Sequence, residues 1–509
     1  MREYLYMPMY VRCAAFVSLG GFIYGFDTGS IGPVTLMPYF QGLFGPLSPT
    51  LHGLVISMIL IPACISSLVA GPIADRISRT YAIALGSGCY AVGSLLQCLS
   101  GFGGGRSEGL AMLFIGRIFA GMGEGIFLSP ITVYAVEVTP GKARGRVASL
   151  VQLGICLGIC AGYFICYGSL RIDSSLSWRL PFACQTLIAS GICVGCLFLP
   201  HSPRWLFHVG RKEEALAALE ILEITKNSTD IEKEEILTLI RDEDYSDSRG
   251  WFRRLVDDTK LMFEKETRGR TSLGVFMSGM QQLTGIDGLL YYAPVLFMQA
   301  GLSSTNASFL ASGVSGLVNV VFTIIAQFFT DKWGRRPTMI FGNGFCAATM
   351  VAIGGIYASG ANSTEHGRYA VIALIYLFLI GFCSTTAIMC RIYVTEIQPI
   401  KTRAAASSLS LSANWSVNWV VAFTTPMFLA SSSSGPYFLW GGSTFFAVLI
   451  FIFFMPETKG RSLESVDQAF ETSPLQDMIR KLSGKHMNNA NLETHQGVER
   501  VDVHVEGEK

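Results

Sequence analysis

The sequence predicts an all-α membrane protein: twelve transmembrane helices in two pseudo-symmetric six-helix bundles, joined by a polar helical linker. Three observations predict it. Half of the 509 residues are apolar and only 15% are charged, against about 25% in a soluble domain. The apolar residues gather into twelve runs of roughly 20 residues, the length that spans a bilayer. Six runs precede a charged stretch and six follow it.

The first six runs lie at 13–34, 54–74, 81–101, 110–134, 147–168 and 180–200. The second six lie at 272–299, 307–330, 338–359, 369–394, 404–430 and 435–455. The chain therefore divides into an N-terminal bundle (1–200), a linker (201–271), a C-terminal bundle (272–456) and a polar, disordered tail (457–509). Within the linker, 212–223 and 231–240 read as short surface helices. The first run continues into a full span with no cleavage site before it, so no signal peptide is expected.

Lys and Arg in the short loops set the orientation. One side carries Arg76, Arg79, Lys142, Arg144, Arg146, Lys332, Arg335, Arg336, Lys401 and Arg403. The other carries only Arg106, Arg171, Arg179 and Arg368. The rule places the first set, the linker and both termini in the cytosol. Asn306-Ala-Ser and Asn362-Ser-Thr then fall outside, where they are glycosylation acceptors in a eukaryote. The same motif at Asn227 falls inside and at Asn414 within a span, so the motif alone discriminates poorly.

Lys and Arg total 38 and Asp and Glu 37. That balance gives no reason to expect a nucleic-acid partner. Thirteen Cys are too few for a disulfide scaffold. Cys193-x-x-Cys196 and Cys156-x-x-x-Cys160 lie on apolar faces without nearby His or Asp, and read as small packing residues rather than metal ligands. None of the seven His falls within a predicted span. No metal cluster, cofactor loop or catalytic constellation stands out, so neither an enzyme nor a cofactor is expected.

The halves share a pattern. Asp75-Arg76-x-x-Arg79 follows the second span, and Asp331-Lys332-x-x-Arg335-Arg336 follows the eighth. Glu137-x-x-Pro140-x-Lys142-x-Arg144 follows the fourth, and Glu396-x-x-Pro399-x-Lys401-x-Arg403 follows the tenth. The Asp offset is 256 residues and the Glu offset 259, the signature of parallel six-helix halves. Carboxylates and guanidinium groups at helix ends can pair across the seam between bundles. Formed in one state and broken in another, they would latch the halves; ordinary interfacial charge is the simpler alternative.

Five segments are distinctive: Gly25-Phe-Asp27-Thr-Gly29; Gly116-Arg117 followed by Gly121-Met-Gly123; Ser202-Pro-Arg204-Trp205-Leu206; Gln281-Gln282-Leu-Thr-Gly285-Ile286 with Tyr291-Tyr292; and Pro456-Glu-Thr-Lys-Gly460-Arg461-Ser-Leu-Glu464. On these residues the chain resembles the sugar porter family of the major facilitator superfamily, from about position 10 to 470. The resemblance implies the major facilitator fold and alternating access: a central site opens to one side at a time as the halves rock. It also implies a multi-pass protein of the plasma membrane, acting as a monomer on a small sugar or sugar acid. Three positions depart from the family pattern: His201 stands for a usual Glu, Ser78 for a Gly and Thr80 for an Arg.

An ionisable side chain within a span is costly and marks a functional candidate. Asp27 lies mid-span one and Arg117 early in span four. The resemblance assigns Asp27 the proton of proton-coupled members and Arg117 the partner of its ionised form. Protonation then removes the attraction and makes return of the emptied site sensitive to the proton gradient. A static ion pair joining two helices is the alternative.

At positions matching the family's sugar contacts stand Gln152, Gln281, Gln282, Asn319, Asn414 and Trp415. An amide offers sugar hydroxyls both donors and an acceptor. Tyr24 and Trp415 offer aromatic faces, and Tyr291 and Tyr292 look like an outer gate. Any one amide in a span could instead join helices.

Two departures bear on substrate. Asp287 stands where the family has Asn, and Arg391 where it has a sugar-stacking Trp. Arg391 precedes Glu396 by five residues, a spacing that does not share a helix face, so the two are not expected to pair. A fixed cation in a sugar site suits a carboxylate, because bidentate Arg–carboxylate contact is strong and selective. The combination is similar to fungal galacturonate transporters. The alternatives are that Arg391 neutralises Asp287 or Glu124 and the substrate is a neutral hexose or pentose, or that the substrate is quinate. A non-transporting sugar sensor on the same fold is disfavoured, because such proteins signal through a long cytosolic tail.

Overall fold

A computed structural model of the chain describes residues 7–140, 144–224, 260–265, 267–302, 304–329, 332–399, 402–459 and 470. The described residues form nineteen α-helices. In the first half these are α1 (Met9–Leu36), α2 (Pro38–Phe44), α3 (Pro49–Ser57), α4 (Leu60–Ile77), α5 (Arg79–Leu99), α6 (Arg106–Glu137), α7 (Arg144–Ser169) and α8 (Leu176–Cys196). Two short helices follow, α9 (Pro203–His208) and α10 (Lys212–Ile221). The second half holds α11 (Arg268–Leu283), α12 (Ile286–Tyr291), α13 (Ala293–Gln299), α14 (Thr305–Phe329), α15 (Arg335–Ala358), α16 (Glu365–Ser384), α17 (Thr386–Glu396), α18 (Arg403–Ser431) and α19 (Gly435–Phe454). The expected helix at 212–223 is present as α10, and the one at 231–240 lies outside the described residues.

Ten helical stretches among the described residues are long and apolar enough to cross a membrane. The other two expected spans, 272–299 and 404–430, are also helical. The first is broken into α11, α12 and α13. Gly285 takes φ +86° between α11 and α12, and Pro294 sits at the start of α13. Left-handed φ is open to glycine at little cost, and a Cβ on Gly285 would lie 2.3 Å from the Trp440 ring. The second is α18, which carries Ser407, Ser408, Ser410, Ser412, Asn414, Ser416 and Asn418 in its first half. The tenth span is likewise broken, at Thr385 (φ −131°, ψ −78°).

Helices in lipid gain by close approach rather than by expelling water, so small residues line their contacts. α1 packs on α7 this way. A Cβ on Gly25 or Gly29 would fall 1.9 or 2.3 Å from the carbonyl oxygen of Ile155 or Ile159. The two halves meet along α7 against α14, and along α3 and α4 against α18. At the end away from the Arg-rich loops they touch backbone to backbone. Gly32 abuts the Tyr291 carbonyl, Gly53 abuts the Phe423 carbonyl, and the Tyr163 hydroxyl donates to the Leu290 carbonyl. That end is closed.

Candidate transport site

The charge pair sits inside the first half. α1 brings Asp27 and α6 brings Arg117 to the same point, both fully buried. Arg117 Nη1 donates to Asp27 Oδ1 at 2.8 Å and to Oδ2 at 2.9 Å. Its Nη2 donates to the Ile56 carbonyl at 2.5 Å. That carbonyl ends α3, where a helix leaves acceptors unused by its own backbone, so the break between α3 and α4 supplies the third contact. Gln185 of α8 also reaches Asp27, Nε2 to Oδ1 at 3.5 Å. Gln185 was not legible as a site residue in the sequence.

The polar residues of the second half converge on α18. Asn414 Nδ2 donates to the Ser278 carbonyl (2.9 Å) and to Gln281 Oε1 (3.3 Å), and its Oδ1 accepts from Gln282 Nε2 (3.1 Å). Asn418, one turn further along α18, donates to Asp287 Oδ2 at 2.5 Å. Its i+4 spacing from Asn414 was the signal that marks it. Asn319 Oδ1 accepts from Cys156 Sγ (3.3 Å) and Cys383 Sγ (2.9 Å), joining α7, α14 and α16. Cys156, expected to be mere packing, is thus a polar contact across the seam. Tyr24 of α1 stands edge-on to Trp415 of α18, ring centroids 5.3 Å apart.

Several polar atoms at this centre are buried without a partner on the protein: Gln152 Oε1, Gln282 Oε1, Asn418 Oδ1, and the indole nitrogens of Trp415 and Trp419. Buried polar groups are seldom left so. Acceptors and donors mixed in this way suit a ligand that carries many hydroxyls.

Arg391 on α17 is exposed. Among the described residues no carboxylate lies within ion-pair distance of it, neither Asp287 nor Glu124 nor Glu396. It lies within electrostatic reach of Asp287, of Tyr24 on α1 and of Cys156 on α7, groups that belong to both halves.

At the closed end, Tyr291 and Tyr292 are buried. The Tyr292 hydroxyl donates to the Ala422 carbonyl at 2.7 Å, and its ring stands edge-on to His52, centroids 5.3 Å apart. His52 Nε2 lies 2.9 Å from Thr35 Oγ1. The expectation that no His enters a span is corrected here: α3 begins at Pro49, earlier than the apolar run, and takes His52 with it.

Among the described residues the ion pairs of the Arg-rich loops lie within each half. Arg79 binds Asp75 (2.8 Å) and Glu137 (3.1 Å), and Arg335 binds Glu396 (3.0 Å). The Glu457 carboxylate accepts the backbone N–H of Arg335 and Arg336 at the start of α15 (2.9 and 3.1 Å), where a helix N-terminus favours negative charge. Arg336 also donates to the Ile452 carbonyl, and Arg76 is exposed. Asp331 and the side chains of Arg144 and Arg403 lie outside the described residues. Cross-seam pairing is therefore absent among the described latch residues in this conformation.

The three departures from the family pattern come together. His201 Nδ1 lies 2.9 Å from both Ser78 Oγ and Thr80 Oγ1, and its ring packs on Tyr81 and Trp205. Burial holds its imidazole below the ordinary pKa, with Arg211 acting in the same direction and Glu214 against it. A neutral hydrogen-bonded cluster thus occupies this junction.

The sequence profile of the sugar (and other) transporter family matches residues 13–470. The chain is 30% identical to a high-affinity glucose transporter of Kluyveromyces lactis, over 91% of this chain and 84% of that one. It is also 30% identical to an arabinose–proton symporter of Bacillus subtilis, covering 90% and 94%. In fold it is similar to the inward-open xylose transporter XylE of E. coli, with a TM-score of 0.73, 23% identity, and 90% and 99% covered. Relatives of this kind carry solutes rather than transform them. Match, identity and helical architecture together place the chain in the sugar transporter family of the major facilitator superfamily.

Proposed function

We propose that the protein is a proton-coupled symporter that imports a monosaccharide acid, D-galacturonate, across the plasma membrane. The observation that carries coupling is the Asp27–Arg117 pair, sealed from solvent and bound through both carboxylate oxygens. An ion pair inside a membrane is expensive to make and expensive to break unevenly. Neutralising Asp27 frees Arg117 and loosens α1 from α6, which lets proton occupancy bias how the halves rock.

The galacturonate reading rests on Arg391, a cation at the seam with no carboxylate paired to it among the described residues. A sugar carboxylate supplies the missing partner, while the orphan amides and indoles meet the hydroxyls. With the termini and linker in the cytosol, the closed end is the outer one and this conformation faces inward. Asn306 is exposed and Asn362 partly so, on the loops that would then lie outside, where both would accept glycans as the single chain matures.

The test is uptake of labelled galacturonate and labelled glucose at two external pH values, in cells lacking their own carriers. Galacturonate uptake that rises on acidification supports the proposal. Acid-stimulated uptake of glucose or quinate, without galacturonate, would assign a different substrate to the same mechanism.

A further inference from the structure

The coupling pair leaves one intramembrane acid unexplained. Glu124 lies on α6, two turns beyond Arg117 on the same face, because seven residues bring a helix back to within about 20° of its starting direction. It is 1% exposed, and neither carboxylate oxygen has a hydrogen-bond partner on the protein. Asp27 is the opposite case: Arg117 and Gln185 occupy its oxygens.

A buried carboxylate without partners does not stay ionised; it takes a proton. The groups around it give no competing cation. Within electrostatic reach lie Arg117 on its own helix, Asp27 and Tyr24 on α1, Tyr90 on α5, and Asp287 and Tyr291 on α12. The Tyr90 hydroxyl is also buried without a partner. Four further ionisable groups on the neighbouring helices are engaged elsewhere. Cys64 of α4 meets Ser412 and Ser416, Cys89 of α5 the Phe119 carbonyl, and Cys156 of α7 Asn319 and Thr323. His52 of α3 meets Thr35 and Tyr292. Among the described residues Arg117 is thus the one cation named beside both Asp27 and Glu124, and two acids beside one cation cannot both be charged without leaving an uncompensated charge in lipid.

We propose that Glu124 is a second proton-binding carboxyl of the transport cycle, sharing one proton with Asp27 over the single guanidinium of Arg117. In this conformation the proton sits on Glu124 and Arg117 on Asp27. In the alternative arrangement the Glu124 O–H bond breaks and an Asp27 O–H bond forms. Arg117 then turns along its own helix to the ionised Glu124, and the net charge is unchanged. This inference rests on the symport reading only for its transport consequence; the proton site is tested by a readout that does not need transport.

The test is infrared spectroscopy on purified full-length protein, with transport in proteoliposomes alongside. A protonated-carboxyl band at neutral pH should lose one component in Glu124→Gln. The same component should vanish in Asp27→Asn, because Glu124 then ionises to serve Arg117. Glu124→Asp, which keeps a titratable group, should retain it. No component lost in Glu124→Gln means that Glu124 is ionised, and overturns the proposal. A component that survives Asp27→Asn means a fixed neutral side chain that shares nothing, and also overturns it.

In transport, a one-unit pH gradient supports about tenfold accumulation for one proton per solute. That ratio, normalised to counterflow as a gauge of folded protein, should fall about tenfold in Glu124→Gln. Accumulation equal to wild type would refute the role of Glu124 in coupling. Wild-type protein that never accumulates solute would instead sink the symport reading, leaving the infrared result to decide the proton site.

Discussion

Arg117 holds Asp27 through one nitrogen: Nη1 lies 2.8 Å from Oδ1 and 2.9 Å from Oδ2, on side chains 0% and 3% exposed. The guanidinium keeps its other nitrogen for the Ile56 carbonyl. The contact therefore ties α1, α6 and the break between α3 and α4 into one unit.

Asp27→Asn removes the charge and keeps the shape. Solute exchange should persist, while accumulation under a one-unit pH gradient should drop from about tenfold to about unity. Vesicle uptake with and without the gradient measures both. Unchanged uphill uptake would refute the role of Asp27.

The proposed galacturonate reading makes Arg391 its specificity handle. Arg391→Trp should cost galacturonate about 2–4 kcal/mol of binding, the scale of losing a charge-assisted bidentate contact. A neutral hexose should lose far less. Competition of each against a labelled substrate reads the difference, and equal loss for both would count against a carboxylate clamp.

Gly285 sets the shape of the seventh span. Gly285→Val forces a branched side chain into φ +86° and into the Trp440 ring, at a cost of at least about 1–3 kcal/mol. The expected outcome is a lower melting temperature in detergent and reduced transport. Wild-type melting would mean that the break does not need glycine.

His201 makes stability depend on pH. Its pKa in the folded protein lies below the ordinary value, so the unfolded chain takes up the proton first. The contribution is fully present above about pH 6.5 and is lost as pH falls through that value toward the folded pKa. Thermal melts across about pH 5–8 should show wild type losing stability on acidification, and His201→Gln losing less. Parallel curves would contradict the assignment.

The apolar runs made the spans legible because a membrane demands length and hydrophobicity of each one, and the paired Arg motifs made the halves legible. What stayed hidden depends on local breaks. Residues 272–299 read as one apolar run, since hydrophobicity does not register the left-handed turn at Gly285. α3 extends beyond its apolar run and so carries His52 unseen. Gln281, Gln282, Asn414 and Trp415 were singled out by their match to the family's sugar contacts and Tyr24 by its aromatic face, and the structure brings them together around α18. Asn418, Trp419 and Gln185 were no less polar but matched no motif. Pairing within rather than across the halves follows from which end is closed, a property of conformation that composition does not encode.

Solute-driven proton movement tests the central claim most directly. In de-energised proteoliposomes carrying an external pH indicator, galacturonate addition should alkalinise the medium by about one proton per solute, the ratio that one shared proton on Asp27 and Glu124 requires. A carboxylate that is ionised at neutral pH and moves with one proton carries no net charge, so the rate should not respond to membrane potential. Solute entry without alkalinisation would contradict the account.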